Sequence, residues 1–155
     1  MSIAALYDWL LFGHLVAAMV WLGGGVVLTA LALATLRAHD AQAVARFIAG
    51  LRVLGPAVLA PGTVITLGLG VWLVLESAAW DFRQGWLLAA LILIAVATVV
   101  GAGHQARTAL AVERATRRGD AAEARRQLVR WTWGYGLVVV LLVLIAWDMD
   151  FKPGL

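Results

Sequence analysis

The chain has no cysteine, so disulfides, thiolate metal sites, iron–sulfur clusters and thiol nucleophiles are excluded. Ser2 and Ser77 are the only serines, and neither stands in a nucleophile elbow, which removes serine hydrolysis. Charge is scarce as well, at 14 % of 155 residues. Soluble domains carry about a quarter charged residues, and an ordinary water-soluble fold does not fit. What is present instead is apolar: 63 % of residues are hydrophobic and the mean hydropathy is +0.91. That composition excludes disorder and points to one polytopic membrane domain covering residues 1–155.

Four stretches carry no Asp, Glu, Lys or Arg: residues 9–36, 53–75, 84–106 and 131–147. About 20 apolar residues cross the hydrocarbon core as a helix. Each run is too long for a membrane strand, and in lipid the backbone must be satisfied within the segment. The expected fold is therefore all-α, a membrane four-helix bundle with spans at roughly 9–36, 56–76, 85–106 and 131–149. Trp131, Trp133 and Trp147 mark the interfacial ends of the last, shorter run. Residues 1–8 contain no Lys or Arg and the apolar run is longer than a signal h-region, so the first span is expected to be retained.

The net charge of +3 matters less than where it lies. Arg37, Arg46 and Arg52 follow the first span. Arg107, Arg114, Arg117, Arg118, Arg125, Arg126 and Arg130 lie between the third and fourth, leaving Arg83 and Lys152 for the other side. The positive-inside rule places both termini outside, with the two arginine-rich connections in the cytoplasm of a bacterial inner membrane. Those arginines read as topology signals and lipid-headgroup ligands rather than as a nucleic-acid surface. Asp40 is an expected N-cap, and Val44, Phe47, Ile48 and Leu51 form one apolar face, which predicts an amphipathic interfacial helix between spans 1 and 2. Gly55 and Pro56 are expected to end it, with a kink at Pro61. Spans 3 and 4 should extend into the cytoplasm as a helical hairpin turning at Gly119, with Asp120 and Glu123 starting the last helix.

Polar residues inside spans are functional candidates by default. They are His14, Thr63, Thr66, Thr98, His104 and Gln105; the threonines can bond back to their own helix carbonyls. His14 shares a face with Ala18, Trp21 and Gly25, flanked by Gly13, Ala17 and Gly24, and small residues there allow close helix approach. An imidazole facing the bundle can bind haem iron, bind another metal, relay protons or hydrogen-bond a neighbouring helix. His104 does not share one iron with it: at 1.5 Å per residue His14 lies about 9 Å from Asp8, and His104 about 27 Å from Trp86, both measured from the outer side. An outer layer holds Tyr7, Asp8, Trp9, Trp72, Glu76, Trp80, Asp81, Arg83, Trp86, Trp147, Asp148 and Asp150. It reads either as an aromatic belt or, with His14, as a place for a divalent cation.

The segments Gly13-His14-Leu15 and Trp21-Leu22-Gly23-Gly24 resemble a bacterial group of small helical membrane proteins. So do Pro61 with Thr66-Leu67-Gly68-Leu69-Gly70-Val71-Trp72-Leu73, Gly85-Trp86-Leu87-Leu88 and Phe151-Lys152-Pro153-Gly154. The group includes the protoporphyrinogen oxidase HemJ, the copper-resistance CopD domain and an uncharacterised family of predicted four-span integral membrane proteins. The pattern favours that last family, with HemJ and CopD more distant. The resemblance implies b-type haem bound through a first-span histidine, which His14 matches. The lysine that HemJ-like proteins use early in the third span has no counterpart in Leu87-Leu88-Ala89-Ala90-Leu91. The leading expectation is haem b or a related porphyrin on His14, with Trp21, Trp72 and Trp86 as pocket walls and a redox or haem-handling role. The alternatives are cation handling of CopD type and a non-catalytic subunit packing against another membrane protein or a second copy.

Overall fold

In the computed structural model, which describes residues 3–153, the chain is four long helices joined by short connections. They are α1 (Ile3–Ala38), α2 (Ala41–Glu76), α3 (Gly85–Arg117) and α4 (Ala121–Phe151). There is no strand among the described residues. Met1, Ser2, Gly154 and Leu155, and with them the end of the Phe151–Gly154 motif, lie outside those residues. All four helices are long and apolar enough to cross a membrane. With more than 30 residues each, they exceed what a core about 30 Å thick requires.

The caps fall where the side chains direct them. Asp40 accepts from the Gln42 N–H at 2.8 Å and the Ala43 N–H at 3.2 Å, satisfying two donors that the first turn of α2 leaves free. Asp120 accepts from the Glu123 N–H at 3.0 Å to begin α4. Gly119, at φ +74°, makes the left-handed turn that ends α3.

Two expectations about α2 are corrected. Gly55 and Pro56 do not break the helix: residues Gly55–Leu59 form a π turn, and the α-helix resumes at Ala60. The wider turn lets the Ala60 N–H reach back to the Gly55 carbonyl, accommodating a proline ring that an unaltered α-helix would not. A full break would leave backbone groups unsatisfied in lipid. Second, the stripe of Val44, Phe47 and Ile48 faces protein rather than the membrane interface. It packs with Leu28, Val112, Leu128 and Trp131 in the largest core cluster. Trp131 is correspondingly not an interfacial anchor. It is 1 % exposed, edge-on to Phe47 at 5.3 Å and stacked on Tyr135 at 4.9 Å. A second π turn, Val100–Gln105, interrupts α3.

The helices are not equally closed along their length. α1 packs on α2 and α4, and α4 packs on α3, so the lateral order is α2, α1, α4, α3. At the arginine-rich end the first half of α2 also touches α3 and α4, closing the bundle. At the opposite, acidic end no such contact exists among the described residues: 60–76 approaches α1 alone and 85–99 approaches α4 alone. The expected four-helix bundle is thus closed at one end and splayed at the other.

Candidate functional site

His14 sits on the α1–α2 face. Its Nδ1 lies 2.9 Å from the Thr66 carbonyl oxygen. A carbonyl only accepts, so Nδ1 carries the proton, and in the neutral ring Nε2 is left with an unshared lone pair. Two further features frame the ring. A Cβ built on Gly70 would stand 3.0 Å from His14 Cε1 and 3.3 Å from Nδ1, so glycine is what lets the imidazole lie flat between the helices. The Thr66 hydroxyl is buried without a hydrogen-bond partner, although Thr63 and Thr132 bond back to the carbonyls of Leu59 and Leu128. The small residues of α1 do permit close packing. Gly13 faces Leu69 of α2, and Gly25 faces Tyr135 and Val139 of α4.

The three tryptophans do not converge on His14. Trp21 shares the α1–α2 face two turns further on, its backbone against Gly62, and belongs to a cluster with Val138, Leu142 and Ile145. Trp72 is 44 % exposed and its indole N–H donates to Glu76 at 3.1 Å. Trp86 is 5 % exposed and packs edge-on to Trp80 at 5.3 Å, at the α3–α4 end. His104 belongs to another helix pair. Its Nε2 lies 3.5 Å from the Arg130 carbonyl of α4, beside Gly134, so it shares no site with His14. No group of three or more His, Asp or Glu side chains suited to a metal ion occurs among the described residues, and the outer carboxylates do not gather around His14.

For three residues that the sequence named, the structure adds surroundings that it did not reveal. Gln105, at the end of the second π turn, is 5 % exposed with neither amide atom partnered; only its place inside a span marked it. Asp148 is 4 % exposed with Oδ2 unpartnered, and its burial is not visible in the segment Asp148-Met149-Asp150, where it looks no different from Asp150. The ammonium of Lys152 rests over two indoles. At the arginine-rich end, two cavities of about 150 and 300 Å³ share Ile48, Arg52 and Glu113 as walls; neither reaches His14.

Four helices long and apolar enough to cross a bilayer are what an integral membrane protein requires. Residues 8–153 match the family described as predicted integral membrane protein (DUF2269), and the chain belongs to that family. Its description names neither haem nor copper. No curated protein and no solved structure matches the chain.

Proposed function

We propose that this is a haem-binding membrane protein in which His14 Nε2 is the axial ligand of haem b or a related porphyrin, with a redox or haem-handling role. The observation that carries the reading is the Nδ1–H bond to the Thr66 carbonyl. Metal-ligating histidines characteristically donate their other ring N–H to a carbonyl or carboxylate, which fixes the tautomer and makes the ligating nitrogen more basic.

The residues around the ring fit such a group in chemistry. One imidazole is a sufficient protein ligand for a haem. Gly70 keeps the ring edge clear, and the Thr66 hydroxyl is a free donor at the same turn. α2 and α3 splay apart at this end, whereas His14 itself lies in the close α1–α2 contact. Trp21 lies on the same α1–α2 face two turns away, whereas Trp72, though close to Gly70 in sequence, is half-exposed and bonded to Glu76, and Trp86 packs on Trp80. When bound, haem would supply one-electron chemistry. The chain's own part is to hold and orient the imidazole and to keep its Nε2 unprotonated through the Thr66 bond.

The arginine distribution supports termini on the outer side of a bacterial inner membrane, with the acidic end and His14 facing outward. The test is the optical spectrum of protein purified after expression with haem supplied. A Soret band that disappears in His14→Ala supports the proposal, and its absence from the parent, or its persistence in His14→Ala, overturns it. A second reading, a subunit that packs against another membrane protein, draws on the apolar, splayed faces of α2 and α3. It is tested by co-purification after gentle solubilisation: a monodisperse, partner-free protein contradicts it.

A further inference from the structure

The acidic end holds a second constellation, built from residues far apart in the chain. The connection between α2 and α3 is pinned by its own polar groups. The Gln84 amide donates to the Ala79 carbonyl at 3.1 Å, the Gln84 N–H to the Asp81 carbonyl at 3.0 Å, and the Arg83 N–H to the Asp81 carboxylate at 2.8 Å. This tight loop carries Trp80 onto Trp86, ring centroids 5.3 Å apart and planes at 83°, while Trp80 Nε1–H donates to the Tyr7 hydroxyl of α1 at 3.2 Å. Two indole faces at nearly a right angle form the corner of a cage. Its occupant is the chain's own cation: Lys152 Nζ lies 5.2 Å from the Trp80 centroid and 5.9 Å from that of Trp86. Lys152 reaches it because it ends α4 in a left-handed conformation, φ +43°, with its N–H on the Asp148 carbonyl at 2.9 Å.

One turn before Lys152 stands the buried carboxylate of Asp148, which has no ion-pair partner among the described residues. A buried carboxylate without a counter-charge is costly, yet the nearest ammonium in sequence sits over the indoles. The surroundings add negative potential, since Asp8, Glu76, Asp81 and Asp150 share this end with Arg83 as the other basic residue. The Trp86 N–H is likewise buried and unpartnered.

We propose that Trp80 and Trp86 form a binding site for a small organic ammonium ion, drawn by the acidic residues of this end, and that Lys152 occupies this cage when no ligand is bound. Indole faces attract a weakly hydrated cation through the ring quadrupole, and quaternary ammonium groups are the ligands such cages recognise. A divalent metal is the wrong ligand, because π-faces offer no lone pairs and no His, Asp or Glu triad stands here among the described residues. The site is independent of His14, which lies on the α1–α2 face.

The experiment uses the full chain in dodecyl maltoside, which has no choline headgroup. Choline is titrated and followed by broadening of its trimethyl proton signal, with 3,3-dimethylbutan-1-ol as the neutral isostere. A Lys152→Met variant removes the competing ammonium and is expected to bind choline at least about five-fold more tightly than the parent, the equivalent of about 1 kcal/mol of cation–π competition. Lys152→Arg, which keeps a cation in the cage, should bind as the parent does. Trp80→Leu in the Lys152→Met background should weaken binding several-fold, and the neutral isostere should not bind. The proposal is overturned if Lys152→Met binds choline no better than the parent, if the isostere binds equally, or if Trp80→Leu leaves binding unchanged. A lowered melting temperature in Lys152→Met without any gain in choline affinity identifies Lys152 as a structural clasp and also overturns it.

Discussion

Replacing Gly70 with alanine tests the packing on which the His14 reading rests. The added methyl would meet His14 Cε1 at 3.0 Å and Nδ1 at 3.3 Å, tighter than ordinary van der Waals contact. The ring has little freedom to retreat, because its Nδ1–H is held by the Thr66 carbonyl at 2.9 Å. Overpacking of this kind costs about 1–3 kcal/mol, and loss of the hydrogen bond adds about 1 kcal/mol. Against that, alanine is a better helix former than glycine by about 1 kcal/mol. The net expectation is destabilisation by about 1–3 kcal/mol. Gly68, two residues earlier on the same helix, is the control: a Cβ there meets nothing within 4 Å. Gly68→Ala should therefore leave stability unchanged or raise it by up to about 1 kcal/mol. For a chain of this length the two variants should melt about 2–16 °C apart, at about 2–4 °C per kcal/mol. The assay is thermal unfolding of both purified variants in the same detergent. If Gly70→Ala and Gly68→Ala melt together, at or above the parent, the ring is not wedged between α1 and α2 and the geometry argued for His14 is wrong.

Gln105 has neither amide atom partnered in a buried position, so Gln105→Leu should stabilise the protein by about 1–3 kcal/mol in the same melt. A fall in melting temperature would instead show that the amide has a partner, such as an ordered water. Orientation is accessible because there is no native cysteine to remove. In intact cells, a membrane-impermeant maleimide should label Asp81→Cys and leave Arg46→Cys and Arg117→Cys unmodified until the membrane is opened; the reverse pattern inverts the topology.

Much of the architecture was legible because it depends on local rules. Four charge-free runs became four helices, Asp40 capped α2, and Gly119 ended α3. The small-residue face of α1 did bring neighbouring helices close. The failures share a cause, which is that they depend on what lies beside each residue. Pro56 reads as a breaker only if α-geometry is the sole alternative, and a π turn supplies another. The stripe of Val44, Phe47 and Ile48 has the same period whether it meets lipid or protein, and here Trp131 covers it. Periodicity likewise says nothing of which helices are neighbours, so the splay at the acidic end was hidden.

The site divides in the same way. His14 stood out as a lone imidazole on a tightly packed face, and the structure puts it there. Its partner was not foreseeable, since any carbonyl of α2 can accept a hydrogen bond and the sequence does not distinguish that of Thr66. Trp72 and Trp86 looked as suitable as Trp21 for pocket walls because all three are aromatic, and their exposure and the lateral order of the helices separate them. The Lys152 cage was further out of reach, requiring both the fold of the 77–84 loop and a left-handed residue at the end of α4.

The central claim is that His14 Nε2 is a free ligand for haem iron, and chemical rescue tests it most directly. In a His14→Gly variant supplied with haem, the Soret band of the parent should be lost, and adding imidazole to the purified protein should restore it. Binding that survives in His14→Gly without imidazole, or a parent protein that takes up no haem, would contradict the account.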